Sequence, residues 1–488
     1  MVGADCRTKD MEEVPATTCA NCQRLQAEVE LLRQQLDALK AVVAGLQERL
    51  ASAGKDSSNS SKPPSSDIVK PPKPAPADGS KRKIGGQPGH QKHDRALFPP
   101  EQLTLAAEHT LDSCPDCGGS LRKNGHFATL VQQVDVQSPP LTVEQHCCPE
   151  FWCDNCQKPC KAPLPCHIER GGLVGPNLTA LIAYLKGVCH ASYSTVRKFL
   201  RDVARVTISR GQLAKVISKV SAALARPYDE LLELLPDEPA LNVDETGHKD
   251  NGKLMWTWCF RAELYTLFKI DAHRSADVLL EVLGEEFDGV LGCDCFSAYR
   301  RYMRECDVTV QFCLAHLIRE VKFLAKLPDE PTRLYGERLR QALRVLFGVI
   351  HSRESFAGPG QDEEFKRLLG IARRGVLKAA AQDVPESQAA QKLAKRMEKY
   401  GENYFTFITQ PGIEPTNNVA EQAIRFVVID RHITQGTRSE KGQRFSERIW
   451  TLIATCAQQG RGVWEYLSAA VRAHFTKEEA PSLLAAGV

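Results

Sequence analysis

Two short, largely apolar runs, each followed directly by an aspartate, constrain the fold of this chain more than any other feature of its sequence. Asp244 follows the run 240–243, and Asp294 follows the run 289–293. A third acidic residue, Glu421, lies in a segment typical of a turn that leads into a helix. Apolar runs of this length are typical of buried strands. We therefore predict two neighbouring strands whose ends bring the aspartates together, with the glutamate supplied by a later helix.

The segments around the two aspartates predict a complete sheet. Their apolar patterns give the order strand, strand, strand, helix, strand, helix, strand, which is the order of a ribonuclease-H-like sheet. Long amphipathic helices separate the last strand from Glu421, so we predict a helical insertion at about 330–410 within a catalytic domain at 236–445. The predicted strands are 241–246, 256–260, 265–270, 289–293 and 308–313, and the first predicted helix is 275–283.

The three carboxylates match the chemistry of a two-metal site. They supply the oxygen ligands that Mg²⁺, or Mn²⁺, prefers. Two such ions clamp the attacking and leaving oxygens of a phosphoryl transfer. Taken singly, an aspartate at a strand end is more often a cap or a turn residue. Two aspartates close together favour a metal, because neighbouring like charges stay ionised mainly around a cation. We therefore predict that Asp244, Asp294 and Glu421 bind Mg²⁺.

Other residues near these carboxylates are candidates for contact with a phosphate. His316 and Arg319 fall on the same side of a predicted helix, and Arg425 lies one turn beyond Glu421. Packing is an equal alternative for His316, and Arg425 can instead pair with Glu421. Glu245 is a weaker ligand candidate, because neighbouring residues of a strand point to opposite faces of the sheet.

A heptad helix is predicted near the N-terminus, at 22–51. Its apolar residues recur at spacings of four and three without a break, which is the seam of a coiled coil. The alternative is an amphipathic helix packed on its own domain, but a globular face needs a broader apolar stripe. We predict that the coil joins subunits of a homo-oligomer; its short length fixes neither register nor strand number. The seam residues are Leu25, Val29, Leu32, Leu36, Leu39, Val43, Leu46 and Leu50.

Residues 55–100 have the composition of a linker. The segment is rich in Pro, Ser and Lys and poor in apolar residues, so it has no basis for a core of its own. Its basic cluster Lys81, Arg82 and Lys83 can lie along DNA phosphates. A spacer that contacts nothing is an equal alternative.

Two Cys-x-x-Cys pairs predict a structural zinc site within residues 105–168. Four thiolates form the tetrahedral ligand set of a zinc ribbon. Alternating stretches at 129–136 and 141–146 predict a hairpin between the two pairs. The chain has 18 cysteines, so other cysteines nearby can replace a ligand. The predicted ligands are Cys114, Cys117, Cys153 and Cys156, and the substitutes are Cys147, Cys148, Cys160 and Cys166.

Residues 172–235 are predicted to be wholly helical. The short break before Ser209 resembles a helix-turn-helix, whose second helix enters the major groove of DNA. In that interpretation Arg210 and Lys215 contact the DNA. A plain helical bundle is the equal alternative. A C-terminal helical segment is predicted at 446–488.

Size and composition set the class of protein. With 488 residues the chain is too long for one core, and its 42% hydrophobic and 25% charged residues are ordinary for globular domains. A net charge of +3 is weak evidence for a nucleic-acid partner. No apolar run is long enough to span a membrane and the N-terminus has no export signal, so we expect a cytoplasmic protein without membrane contact. Cysteine pairs in such a protein indicate metal rather than disulfides.

Together these segments resemble the transposases of the insertion sequence 66 family, which are bacterial DDE enzymes. The resemblance covers nearly the whole chain. It implies a multidomain α/β protein with a leucine zipper, a zinc-ribbon-like β domain, a helical bundle domain and a ribonuclease-H-like catalytic core with a helical insertion. It assigns the catalytic triad to Asp244, Asp294 and Glu421. After Asp294 this chain has Cys295 and Phe296, where many relatives have glycine. The matching landmarks are 55–67, 85–90, the two cysteine pairs, 243–247, 313–316 and 417–425.

The sequence thus predicts a transposase that binds the terminal inverted repeats of an insertion sequence, cuts at the ends of the element and joins the freed 3′-hydroxyls to target DNA. The expected cofactors are Mg²⁺ or Mn²⁺ at the carboxylates and structural Zn²⁺ at the cysteines. The resemblance further implies a bacterial protein that associates with the nucleoid when bound to DNA, and helper proteins encoded by the same element. Two other classes stay open: a DNA-binding regulator with an inactive core, and a nuclease that cuts without joining.

Overall fold

The computed structural model describes most of the chain. Contacts within it divide the chain into two compact units, Pro72–Ile217 and Ser218–Val488, and the second also includes Met1–Pro71. The described residues are 20–53, 97–103, 113, 116–120, 132, 141–153, 155, 158–356 and 361–484.

Helix α1, Ala20–Ala53, carries the whole heptad seam. Its eight seam side chains are between 46% and 76% exposed, so the seam faces solvent along the described helix. Neither α1 nor any other helix in the described ranges is both long enough and apolar enough to cross a bilayer.

The unit Pro72–Ile217 contains a small antiparallel hairpin, β1 (Glu150–Cys153) with β2 (Lys158–Lys161). Cys153, the first member of the second cysteine pair, is the last residue of β1. The predicted strand at 141–146 is wrong, since that stretch has no regular structure. Its side chains are mostly exposed, so no buried face holds the alternating pattern in a strand. Of the other predicted strand, 129–136, only residue 132 is among the described residues.

Helices follow the hairpin, and their sequence signals explain where two of them begin. Pro176 occupies the first position of its helix after Gly175, a position where proline loses no hydrogen bond. The Ser192 hydroxyl accepts the backbone N–H of Thr195 at 3.0 Å and caps the next helix. The helices are α2 (Cys166–Gly171), α3 (Pro176–Gly187), α4 (Tyr193–Asp202) and α5 (Arg210–Ala223), the last of which extends into the second unit.

The second unit contains a mixed sheet surrounded by helices. In chain order its elements are α6 (Ala225–Leu234), β3 (Ala240–Asp250), β4 (Lys253–Arg261), β5 (Thr266–Asp271), α7 (Ala276–Leu283), β6 (Val290–Cys293), α8 (Ser297–Glu305), β7 (Thr309–Phe312), α9 (Leu314–Leu324), α10 (Glu330–His351), α11 (Gln361–Ala381), α12 (Gln388–Tyr400), α13 (Asn418–Thr434), α14 (Glu440–Gln458) and α15 (Val463–Thr476).

The five strands lie in the order β5-β4-β3-β6-β7. Strands β3, β4 and β5 pair antiparallel, whereas β6 pairs parallel with both β3 and β7. The order of strands and helices between Ala240 and Phe312 is the predicted one. Side chains on both faces of the sheet are buried, Val243 and Trp258 on one face and Cys259 and Phe268 on the other, as expected for a sheet covered by helices.

Strand β3 is longer than predicted, and this changes the position of one aspartate. We predicted Asp244 near the end of a strand, but β3 continues to Asp250 and pairs with β4 along its length. The turn between them is Asn251-Gly252, with φ values of 49° and 84°. An Asn-Gly pair with positive φ forms the tight hairpin turn that keeps two strands paired to their ends. Asp244 therefore lies within the strand.

Helix α14 covers the free edge of the sheet at β5. The N–H groups of Thr266, Phe268 and Ile270 point away from β4 and need other acceptors. They donate to side chains one turn apart along α14: Thr455 at 3.2 Å, Thr451 at 3.0 Å and Glu447 at 2.6 Å. Polar side chains of a helix thus take the place of a sixth strand.

Helices α10, α11 and α12 lie between β7 and α13 in the chain. The Tyr335 hydroxyl on α10 donates to the Ala380 carbonyl on α11 at 2.7 Å. On α12, Arg396 forms an ion pair with Glu320 of α9. This pair joins the helical segment to the helix that carries His316.

Candidate metal-binding active site

Strand pairing brings the two aspartates to the same end of neighbouring strands. Strands β3 and β6 are parallel, with Asn242 opposite Gly292. Asp244 lies two residues further along β3, and Asp294 directly follows the last residue of β6. Each carboxylate is anchored by one backbone group: Asp244 accepts the N–H of Glu245 at 3.0 Å, and Asp294 accepts the N–H of Phe296 at 2.8 Å.

Both aspartates resist ionisation. Burial raises the pKa of Asp244 well above its usual range, and the negative charges of Glu245, Asp294 and Glu421 raise it further. Burial, with the charge of Glu245, raises the pKa of Asp294 to about 7. Raised pKa values in a group of carboxylates mean that too little positive charge lies nearby to stabilise their ionised form. A cation site has the same property before the cation binds.

Asn417 brings the third carboxylate to the aspartates. Glu421 lies in the first turn of α13, which begins immediately after Asn417. The Asn417 side chain donates to the Val243 carbonyl at 2.7 Å and accepts from the Asn242 amide at 2.9 Å. Its backbone N–H donates to the Cys313 sulfur at 3.1 Å. Asn417 is 2% exposed, so these bonds fix the start of α13 against the strand that carries Asp244.

The sequence did not reveal this role of Asn417. Asn417 occupies the N-cap position of α13, but its side chain makes no capping hydrogen bond there. Its partners lie 174 and 175 residues away along the chain. A contact so distant in sequence leaves no local pattern, and a run of two asparagines before a helix looks like an ordinary cap.

Glu421 is held by Arg319, and His316 lies beside them. One nitrogen of the Arg319 guanidinium donates to both carboxylate oxygens of Glu421, at 3.0 and 2.8 Å. The His316 ring lies 3.5 Å from Glu421 through Nδ1 and 3.3 Å from Arg319 through Nε2. The three predicted residues therefore meet, and Arg319 binds the glutamate in this structure.

A thiol also lies next to this glutamate. The ligand atoms of Cys313, His316 and Glu421 all lie within 4.8 Å of one another. This group combines one hard and two softer donors, whereas Asp244, Asp294 and Glu421 offer oxygen alone. Oxygen donors fit Mg²⁺ or Mn²⁺, and the pKa values of the two aspartates show where positive charge is missing. The three carboxylates are therefore the better fit for a divalent metal.

Glu245 occupies a separate network on the other face of β3. Arg274 pairs with it at 2.6 Å, and the Tyr299 hydroxyl donates to its other oxygen. The Arg274 guanidinium lies between two rings, 4.7 Å from the centre of Trp256 and 3.9 Å from that of Phe296. A glutamate bound in this way supports the strand next to the aspartates, and we do not count it among the metal ligands.

Some of the remaining predicted site residues are described by the structure, and the others lie outside the described residues. Arg425 is exposed, one turn beyond Glu421. Arg210 and Lys215 are exposed on α5, and Arg210 donates to the Ser194 hydroxyl at 2.7 Å. Of the predicted zinc ligands, Cys117 is exposed in a turn and Cys153 ends β1. Residues outside the described part are Cys114, Cys156, Lys81, Arg82 and Lys83.

Comparison with known proteins identifies relatives of this arrangement. The family model described as "Transposase IS66 family" matches residues 171–444, more than half of the chain and all three carboxylates. A family of unknown function matches residues 12–96. The curated relatives include two uncharacterized proteins of Sinorhizobium fredii. The protein y4jD is 23% identical over 79% of this chain and 78% of its own length, and y4hP is 23% identical over 70% and 67%.

Proposed function

Because the chain belongs to the IS66 transposase family, we propose that it is a DDE transposase that cuts the ends of an insertion sequence and joins them to target DNA. The observation that supports the proposal is that Asn417 ties the start of α13, which carries Glu421, to β3, which carries Asp244. Asp244 comes from β3, Asp294 follows β6, and Glu421 comes from α13. The raised pKa values of the two aspartates fit a site that receives metal together with its DNA.

The roles of the three acids follow from their positions. Asp244, Asp294 and Glu421 would hold the divalent metal through their carboxylate oxygens. Bound Mg²⁺ or Mn²⁺ would activate water and then a 3′-hydroxyl and would stabilise the leaving oxygen. Asn417 sets the position of Glu421, and Arg319 holds its carboxylate. Glu421 would exchange some of these contacts for metal.

The strand order supports a ribonuclease-H-like core. Three antiparallel strands followed by two parallel ones, with the first strand in the centre of the sheet, are what that fold requires. The helices α10–α12 between the second and third carboxylates would be its insertion.

Other parts of the chain would serve DNA binding and assembly. We propose that α5 contacts the terminal inverted repeats through Arg210 and Lys215, and that the basic cluster at 81–83 follows the backbone of the DNA. The cysteine pairs would bind structural Zn²⁺. The exposed seam of α1 would pair subunits so that both ends of the element are held together. Helper proteins encoded by the same element would be further partners.

A strand-transfer assay tests the function. The full chain would be incubated with Mg²⁺, labelled DNA carrying the terminal inverted repeat, and target DNA. We expect joined products from the native chain. Asp244→Asn and Asp294→Asn should lower the rate more than about a hundredfold, because even residues that only support metal ligands lower activity 10–100-fold when mutated. Asp288→Asn makes the same change on an exposed aspartate and should leave the rate unchanged.

The outcomes separate the alternatives. Cut but unjoined ends from the native chain would favour a nuclease. Binding without any cut product, under conditions that include the helper proteins, would favour a regulator with an inactive core. Full activity of Asp294→Asn would remove this residue from the site.

A further inference from the structure

Three arginines border the carboxylates, and two of them are bound to carboxylates. Arg274 pairs with Glu245, and Arg319 binds Glu421 through both oxygens. Arg431 is the third. In the part of the chain that the structure describes, no carboxylate lies within ion-pair distance of Arg431; its hydrogen bond goes to the Thr246 hydroxyl, at 3.1 Å.

Arg431 is half-buried, although it has no carboxylate to balance its charge. Burial lowers the pKa of its guanidinium, which nevertheless stays protonated because arginine does not lose its proton in proteins. A guanidinium has five N–H donors, and the bond to Thr246 uses one. A partly desolvated cation with free donors favours an anion that can accept from them.

The strand geometry places Arg431 close to the aspartates. Thr246 is two residues beyond Asp244 on β3, so both side chains point to the same face, about 7 Å apart along the strand. At 3.4 Å of rise per nucleotide, this distance corresponds to about two nucleotides of one DNA strand.

The surface beyond Arg431 carries exposed basic side chains. Gly247 has no side chain at the point where the guanidinium passes, and a Cβ there would lie 3.8 Å from an Arg431 nitrogen. The end of the β3–β4 hairpin adds the exposed Lys249 and Lys253, and the loop paired with it adds the exposed Arg438.

We propose that Arg431, oriented by Thr246, binds a phosphodiester of the DNA within about two nucleotides of the one that reacts at Asp244 and Asp294. The proposal rests on the proposed function, since it assigns part of the substrate of that site. Its ligand is one non-bridging pair of phosphate oxygens, on either the element end or the target strand. Arg431 would position the DNA while taking no part in proton or metal transfer.

The first test measures binding without chemistry. A fluorescent duplex carrying the terminal inverted repeat is titrated with the full chain in buffer without Mg²⁺ or Mn²⁺ at several salt concentrations. Each phosphate contact adds about 0.9 to the slope of log K against log[salt]. We expect Arg431→Gln to lower that slope by about one, while Arg344→Gln, the same change at an exposed position on α10, leaves it unchanged.

The second test locates the phosphate. Duplexes carry one neutral methylphosphonate at each of the positions flanking the cut, in either the element end or the target strand. With the native chain and Mg²⁺, one position should slow the reaction, and the strand that contains it identifies the source of the phosphate. Arg431→Gln should be slow with normal DNA and should lose no further rate at that position, because the contact is already gone.

Defined results would overturn the proposal. If Arg431→Gln keeps the native salt slope and stays sensitive to every methylphosphonate, Arg431 does not bind a phosphate. Arg431→Lys should retain part of the slope, and equal losses for Lys and Gln together with a lowered unfolding temperature would assign Arg431 a structural role instead. A native chain that binds the duplex with the expected slope but joins nothing would contradict the proposed function and leave the binding test valid.

Discussion

At the scale of single residues, the described arginines that form ion pairs around the candidate site do so with its glutamates and not with its two aspartates. Arg274 and Arg319 bind the two glutamates, and the two aspartates are left next to each other. Burial, and after it the charge of Glu245, raises the pKa of Asp294 to about 7, compared with an ordinary value of 3.8. A proton and a divalent metal therefore compete for this carboxylate near neutral pH.

We predict that Asp294 makes the metal-free protein less stable as pH rises. The folded state holds a proton that the unfolded state releases above about pH 4, so stability from this group is complete below that pH and is lost as pH approaches 7. The unfolding temperature of the native chain minus that of Asp294→Asn should fall between pH 5 and pH 8 by at least about 2 °C, which is roughly what 1 kcal/mol produces in a domain of this size.

Metal should reverse this trend. At pH 8, Mg²⁺ should raise the unfolding temperature of the native chain and leave Asp294→Asn unchanged, whereas at pH 5 it should stabilise neither. If the difference in unfolding temperature between the native chain and Asp294→Asn is the same at both pH values, Asp294 does not have a raised pKa. If Mg²⁺ does not change that difference at pH 8, Asp294 is not a metal ligand.

Sequence showed the acidic residues but not what holds them. Asp244 and Asp294 could be singled out because a charge after an apolar run is conspicuous. Asn417, Arg431 and Arg274 could not, because their partners Val243, Thr246 and Glu245 lie far away in sequence. Their function depends on the register of β3 with its neighbours, which hydrophobic patterns leave undetermined.

At the scale of elements, the sheet depends on a helix for its last row of hydrogen bonds. We predict that Thr451→Val destabilises the protein by about 1–3 kcal/mol, because the buried N–H of Phe268 loses its acceptor while the side-chain volume is unchanged. Chemical denaturation of the full chain would measure the loss. Thr451→Ser keeps the hydroxyl and removes only a methyl group, so it should destabilise less than Thr451→Val; the opposite order would show that packing, not the hydrogen bond, matters at this position.

The elements themselves were predictable where the apolar period was clear. The strands and helices between Ala240 and Phe312 were predicted in the right order, since their buried faces impose a pattern. The exposed stretch 141–146 was predicted wrongly because alternation without burial carries no structural information. The pairing of α14 with β5 could not be predicted, because it uses Thr and Glu side chains that resemble surface residues.

At the scale of the whole molecule, α1 offers a surface for a second copy. The alternating spacing of the seam assigns its residues to heptad positions a and d. Position d is leucine throughout, and position a includes Val29 and Val43. Leucine at d with β-branched residues at a favours two parallel strands. In that arrangement Glu28 of one chain lies opposite Arg33 of the other, at the flanking positions where opposite charges attract.

We predict that Leu39→Asp weakens the association of the full chain. Leu39 is 62% exposed in one copy, and burying a leucine contributes about 1.5–3 kcal/mol. Each dimer loses two of them, so the dissociation constant should rise more than about a hundredfold. Sedimentation equilibrium would measure this. Ala38→Asp places the same charge beside the seam and should have little effect; equal effects of both changes would argue against the coil.

The covering of β5 by α14 also has a consequence for synthesis, because α14 is made long after β5. About 170 residues lie between the end of β5 and the start of α14. At 5–20 residues per second, a ribosome needs roughly 8 to 34 s to add them. Throughout that interval a nascent chain displays a sheet edge with unpaired N–H groups, which is the kind of surface that captures strands from neighbouring chains. We therefore expect this protein to be most prone to aggregate while several ribosomes translate the same mRNA.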